Sequence, residues 1–302
     1  MAAIEANSVS FSYGGVSALR DLDLEVPAGA LYAMLGPNGS GKTTLLQILM
    51  GLRRARSGRA AVLGVDSRRM SMKDRAQIAY VAEGQSLPSW MRLEELEAYL
   101  APLYPMWDRA LANQLRERFN LDPTRKIGAF SRGGQMKAAL LCALAPRPRL
   151  LLMDEPFTGM DALVKDELVR GLLASAGSEG WTVLLCSHDI GELELLADWV
   201  GFLAEGKMRL SEPLDLVYQR FKRVEVTLPS NGADVEYLAE NWLSVERCND
   251  RLSFLSSRAD VDAELAQRFP PTAEVTVRAA TLREIFVALA RESELMQRRS
   301  AA

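Results

Sequence analysis

Apolar positions along this chain follow two periods, broken by glycine and proline. Short runs at Ile4 to Val9, Leu31 to Leu35, Ala60 to Leu63 and Gln77 to Val81 predict strands, with one helix carrying Leu45, Leu46, Ile48 and Leu49 after Gly41. From residue 84 to about 145 the pattern turns helical. Glu94, Glu95 and Glu97 open one helix there, and Pro146-Arg147-Pro148 closes the stretch. Buried strands return at Leu150 to Met153 and Thr182 to Cys186, followed by a strand-like run at Val200 to Leu203. Beyond residue 222 the order is Val224 to Leu228, a helix, Ser244 to Arg247, an Asn249-Asp250 turn, Arg251 to Leu255, a helix and Glu274 to Arg278, which is a βαββαβ pattern. A last helix starts at Thr281, three residues before Glu284, the spacing of a capping box. The expected organisation is an α/β domain over 1–222, made of a core (1–83 and 146–222) and a helical insert (84–145), with a small α+β domain over 223–302.

Composition narrows the classes of function. The chain has 302 residues, 48% of them hydrophobic and 25% charged, enough to bury a full core. Lys+Arg 36 against Asp+Glu 39 gives a net charge of −3, with no long basic run, so nucleic acid is not an expected partner. Arg53, Arg54, Arg56 and Arg59 sit in a Gly-punctuated loop and read as a solvated surface. Cys142, Cys186 and Cys248 are widely spaced, and two lie in apolar runs, which fits free thiols in a reducing compartment. No apolar run approaches the roughly 18 residues of a membrane helix, and the first residues lack the pattern of a signal peptide. The expected location is the cytoplasm, and any membrane span must come from another polypeptide.

The strongest chemical signal is Gly36-Pro37-Asn38-Gly39-Ser40-Gly41-Lys42-Thr43, followed by Thr44. It fits GxxxxGK[ST] between a predicted strand and a predicted helix. Glycines let successive N–H groups turn onto a phosphate, and the helix N-terminus adds partial positive charge. Lys42 is placed to bridge β and γ oxygens and the Thr43 hydroxyl to ligate Mg²⁺. The segment predicts binding of a nucleoside triphosphate with magnesium.

Two acids, Asp154 and Glu155, end the strand that starts at Leu150, and strand ends of open α/β sheets are where ligands bind. Asp154 suits a magnesium ligand, and Glu155 a general base for the attacking water. Read alone, the pair also fits helix capping before Pro156. His188, the chain's one histidine, follows the strand Thr182 to Cys186, where imidazole could meet a γ-phosphate or orient water. Tyr13, upstream of the phosphate loop, could stack on adenine or simply pack.

Taken in order, these elements resemble the ATP-binding cassette of ABC transporters over roughly residues 1 to 222. The family order of A-loop, Walker A, Q-loop, signature, Walker B, D-loop and H-loop is matched by Tyr13, Gly36 to Thr44, the Glu83 to Gln85 region, Phe130 to Gln135, Asp154-Glu155, Gly159-Met160-Asp161 and His188. The resemblance implies a RecA-like P-loop NTPase core and head-to-tail pairing with a second cassette. Each ATP would then lie between one chain's Walker A and the other chain's signature, Ser131, Arg132, Gly133, Gly134 and Gln135. Two positions depart from the family pattern. Arg132 stands where the first glycine of Leu-Ser-Gly-Gly-Gln is usual, and Gly134 stands at the glutamine. The Q-loop glutamine column falls on Glu83, with Gln85 two residues later, and a carboxylate at Glu83 can still ligate Mg²⁺.

The segment Tyr80-Val-Ala-Glu-Gly-Gln85, followed by Ser89-Trp90-Met91, resembles single-cassette subunits that pair with ABC-2-type exporter permeases. The function implied is a transport ATPase on the inner face of the cell membrane, held there by a separate integral-membrane permease and using ATP and Mg²⁺. Trp90, Met91, Tyr99, Tyr104 and Trp107 mark the helical insert as either core or a docking surface. Two other readings fit the motifs: a soluble non-transport ABC ATPase, and a regulatory cassette that binds ATP with little turnover, to which Arg132 and Glu83 point.

Overall fold

The computed structural model describes residues 1–160, 164–171, 180–194, 197–228, 239, 241–269 and 271–301. They divide into two compact units, Met1–Met208 and Arg209–Ala302.

The first unit opens with a long antiparallel hairpin, β1 (Ala2–Tyr13) and β2 (Val16–Pro27). The buried β3 (Leu31–Leu35) and α1 (Lys42–Leu49) follow. Next come β4 (Ser57–Val62), β5 (Val65–Asp66), the single turn α2 (Met72–Arg75) and β6 (Ile78–Val81). Three helices form the insert: α3 (Leu93–Leu100), α4 (Arg109–Arg118) and α5 (Arg132–Leu144). The core resumes with β7 (Leu150–Asp154), helical residues 164–171 (α6), β8 (Thr182–Ser187), the short α7 (Ile190–Leu193), β9 (Trp199–Ala204) and β10 (Lys207–Pro213).

Two sheets enclose the main core. One has the order β2-β1-β4-β5 and the other β10-β9-β3-β8-β7-β6. In the second, β3 runs parallel to β8 and β9, and β7 runs parallel to β6 and β8. Every residue of β7 and β8 is buried, as expected of strands covered on both faces. Between the sheets, Leu45, Leu46, Ile48 and Leu49 of α1 pack among Ile4, Leu22, Tyr32, Met34, Leu152 and Leu184. Burying one such aliphatic side chain contributes about 1.5–3 kcal/mol, so this shared core fixes α1 firmly behind the loop that precedes it. Parallel register brings the C-terminal ends of β3, β8, β7 and β6 to one edge, because Met34 and Asp154 both pair with Cys186 and Val81 pairs with Met153.

The second unit holds α8 (Leu214–Arg220), β11 (Lys222–Thr227), β12 (Trp242–Cys248), β13 (Arg251–Ser256), α9 (Asp262–Arg268), β14 (Glu274–Ala279) and α10 (Leu282–Ala301). Its sheet order, β12-β13-β11-β14, is that of a ferredoxin-like split βαβ fold. The helix expected between β11 and β12 lies largely outside the described residues. One face buries Val224, Val226, Leu252, Phe254 and Trp242, with Trp242 stacked on Phe254 at 3.8 Å between centroids. Thr281 and Glu284 form the expected capping box, since Glu284 N donates to Thr281 Oγ1 at 3.3 Å and Thr281 N donates to Glu284 Oε2 at 2.9 Å.

The division between units comes earlier than the expected boundary at 222. It falls inside β10, and α8 goes with the second unit because its C-cap residue, Phe221, is buried and accepts a hydrogen bond from Ala280 N at 3.2 Å.

Candidate functional site

The phosphate loop leaves β3 at Leu35 and enters α1 at Lys42. Gly41 caps the helix with φ 111°, a conformation that side chains rarely adopt, and a Cβ there would come within 2.6 Å of Ala18 O. The sequence therefore needs glycine at this point for the loop to turn back over the strand end. Lys42 is 6% exposed; its Nζ donates to Gly36 O at 2.6 Å and to Pro37 O at 3.3 Å, and lies 3.5 Å from Glu155 Oε1. The lysine is thus folded over its own loop, opposite the acids that end β7.

Those acids face the loop for a topological reason: β8 separates β3 from β7, and their ends are level. Asp154 is 1% exposed, and burial pushes its carboxyl above the ordinary range against an opposing hydrogen bond from Thr43. Glu155 adopts φ 46° and its N–H donates to Cys186 O at 2.9 Å, which turns the side chain back toward β8. There Glu155 Oε2 lies 2.8 Å from His188 Nδ1 and accepts from His188 N at 3.4 Å. Asp154 Oδ1, Glu155 Oε1 and Ser40 Oγ are buried without a hydrogen-bond partner. Orphaned oxygens facing one loop are what a hard cation and a phosphate chain would satisfy, so the residues fit a magnesium nucleotide.

A cleft of about 430 Å³ runs across this edge, lined by Tyr13, Asn38, Gly39, Ser40, Gly41, Lys42, Thr43, Thr44, Glu83 and Glu155. Tyr13 stands at one end, 42% exposed, with its hydroxyl 3.2 Å from Thr44 Oγ1. Its ring carries the Arg53 guanidinium at 4.8 Å and meets Phe11 edge-on at 4.9 Å. Arg53, one of the group expected to be solvated, is exposed and at the same time braces the aromatic wall and bonds Gln47. Its sequence carried no sign of this, because Tyr13 lies far upstream of it.

The two candidates for the Q-loop role separate in space. Glu83 lines the nucleotide cleft and its charge acts on Asp154. Gln85 accepts from Ala82 N at 3.1 Å and lines a different groove of about 440 Å³, shared with Tyr80, Leu96, Tyr99 and Tyr104. The reversal between them is made at Gly84, whose φ is 62°. Of the side chains expected to hold magnesium, Thr43 and Glu83 line the cleft and Asp154 accepts a hydrogen bond from Thr43.

None of Ser131, Arg132, Gly133, Gly134 and Gln135 lines the nucleotide cleft. They open α5, where Ser131 Oγ caps the helix by accepting from Gly134 N at 3.2 Å and Gln135 Nε2 donates to Phe130 O at 3.2 Å. Gly133 is buried against Val164, and the Arg132 guanidinium lies directly on Gly159, whose φ is 72°. Asp161 lies outside the described residues.

A profile of the ABC transporter family matches residues 19–158. The chain is similar to the sulfate/thiosulfate import ATP-binding protein CysA of Yersinia pseudotuberculosis serotype I, at 33% identity over 253 residues that cover 80% of this chain and 67% of that one. It is similar to the lantibiotic transport ATP-binding protein SrtF of Streptococcus pyogenes, at 31% identity over 214 residues that cover 70% and 91% of the two chains. Among solved structures it resembles the ATP-binding subunit of an ABC transporter, with a TM-score of 0.65 and 27% identity over 72% of this chain and 92% of that one.

Proposed function

Because the chain belongs to the ABC transporter ATP-binding family, and so is a cassette that binds ATP with Mg²⁺ and hydrolyses it, we propose that Glu155 is its general base and His188 the group that holds that base in place. The supporting observation is the Glu155 carboxylate, 8% exposed, with Oε2 held 2.8 Å from His188 Nδ1 and Oε1 left without a hydrogen bond beside Lys42. One oxygen is fixed and the other is free to take a proton from water.

In this reading Tyr13 stacks on the base, and the N–H groups from Asn38 to Thr44 cradle the phosphates. Lys42 exchanges its two carbonyl partners for β and γ oxygens. Thr43, Asp154 and Glu83 hold Mg²⁺, which neutralises phosphate charge when bound. Ser131 and Gly133 act on the nucleotide of a second cassette, which accounts for their absence from this chain's own cleft. Arg132, laid on Gly159, ties the signature to the turn after Glu155. Replacing Glu155 by Gln should lower the hydrolysis rate by about 100-fold or more while ATP still binds and holds two chains together; turnover within about threefold of wild type would assign the base elsewhere.

The coupled movement is proposed to be export through an integral-membrane permease, with the chain held at the cytoplasmic face. Support comes from the exporter-like segment Tyr80 to Met91. No described helix is long and apolar enough to cross a membrane. The permease's docking segment is assigned to the groove carrying Tyr80, Leu96, Tyr99 and Tyr104. Trp107 lies in another groove with Glu97 and Arg116, and Trp90 is 72% exposed. Purification from native membranes should bring a multi-span protein with the wild-type chain and lose it with Tyr99→Arg. ATPase activity of the complex in vesicles should respond to cargo added on the cassette side; a response to the opposite side alone would reverse the direction.

A further inference from the structure

In the second unit, β14 forms one edge of the sheet, and all six of its residues are exposed. The opposite edge, β12, is interrupted by a register shift between Leu243 and Glu246, the kind of irregularity that discourages strand addition. Among the described residues no such break interrupts β14. Its pairing with β11 runs from Glu274 to Ala279 without a shift, and it contains no proline and no lysine. Val275 and Val277 stand opposite Val226 and Val224, which are 1% and 0% exposed, yet are themselves 38% and 37% exposed. The core face of the sheet therefore ends in two half-uncovered valines.

Backbone direction follows from one bond. Ala280 N donates to Phe221 O at 3.2 Å, so in the alternating antiparallel ladder Arg278, Thr276 and Glu274 turn their peptide groups toward β11. Val275, Val277 and Ala279 turn theirs outward to the free edge. We propose that β14 pairs antiparallel with β14 of a second copy of this chain, with the two-fold axis at Thr276, so that the two sheets become one.

The register is chosen by charge. Centred on Thr276, the pairing sets Glu274 opposite the partner's Arg278, a guanidinium that within each chain also holds Glu284, on one face and Val275 opposite the partner's Val277 on the other. Centring on Val277 would set Arg278 against the partner's Thr276; centring on Val275 would set it against the partner's Thr272. Both leave Glu274 without a cation. In the Thr276 register the outward-facing pairs Val275 and Val277 exchange about four backbone hydrogen bonds. Opposite charges and paired β-branched residues directly across a ladder are the favourable cross-strand combinations. The contact is isologous, so it closes at two chains.

Thr276 faces its own copy as a non-hydrogen-bonded pair, with Cα atoms about 4.5 Å apart, within reach of a disulfide. In nucleotide-free full-length chain carrying Cys248→Ser, Thr276→Cys should form a covalent dimer on mild oxidation and Val275→Cys should not. Glu274→Arg and Arg278→Glu should each weaken self-association by roughly tenfold by sedimentation, about 1.4 kcal/mol, and the two variants mixed should associate with each other. Absence of the Thr276→Cys dimer, or equal cross-linking from Val275→Cys, overturns the pairing, as does failure of the mixed charge variants to associate.

Discussion

His188 Nδ1 lies 2.8 Å from Glu155 Oε2, across the gap between the ends of β8 and β7. This side-chain contact joins two acid-base residues contributed by different strands. It predicts that His188→Ala will reduce ATP turnover by about 10²-fold or more with a small change in ATP affinity, because the carboxylate loses its orienting partner. Steady-state kinetics beside equilibrium nucleotide binding checks this; a loss confined to affinity would place His188 on the nucleotide instead.

Tyr13 and Arg53 make a second prediction, concerning binding alone. Replacing Tyr13 by Ala removes a stacking surface and should weaken ATP by about 1–2 kcal/mol, while Tyr13→Phe retains most of it. Arg53→Ala, which frees the ring to move, should weaken binding by a smaller amount. Titration calorimetry would reveal the error if Arg53→Ala proved the more damaging change.

Stability in acid should be set partly by Glu284. Arg278 donates to both of its carboxylate oxygens, at 2.9 and 2.5 Å, and holds the carboxyl down to about 2 from an ordinary 4.5. A lowered folded value means that the unfolded chain binds the proton more readily. The contribution is therefore complete above about pH 4.5 and is lost as pH falls toward about 2. Glu284→Gln should cost at most about 1 kcal/mol at neutral pH and should flatten the acid limb of denaturant unfolding measured between these two values; an unchanged limb would contradict it.

The three thiols should react unequally. Burial pushes the Cys142 thiol up to about 12 and the Cys186 thiol well above its ordinary value, whereas Cys248 is exposed. At pH 8 the Cys142 thiolate is present in only about 1 chain in 10,000. A maleimide should label one site rapidly in folded protein and three after denaturation, with mass spectrometry finding the rapid site at Cys248.

What could be read from the sequence was local or strongly periodic. The phosphate loop, the acids after β7 and the histidine after β8 each follow a short buried strand, and a strand end is visible in one dimension. β2 was harder, although Leu22, Leu24 and Val26 alternate with acids. Repeated register shifts against β1 and the positive φ of Asp21 break the period in its first half. The Arg53 contact with Tyr13 had no local signal, since it depends on how β1 passes over the loop after α1. Glu83 and Gln85 looked interchangeable because a turn at Gly84 sends neighbours to different sides. The boundary between units was misplaced by one helix, whose apolar Val217 and Phe221 give no sign of which core they join.

The left-handed backbone of Glu155 sets two kinds of selection against each other. At φ 46° a glycine would relieve strain on the order of 1 kcal/mol, while loss of the carboxylate would leave buried Lys42 without its ion-pair partner and His188 without its acceptor. Selection on the backbone alone would put glycine at position 155, and only selection on the side chain keeps a carboxylate there.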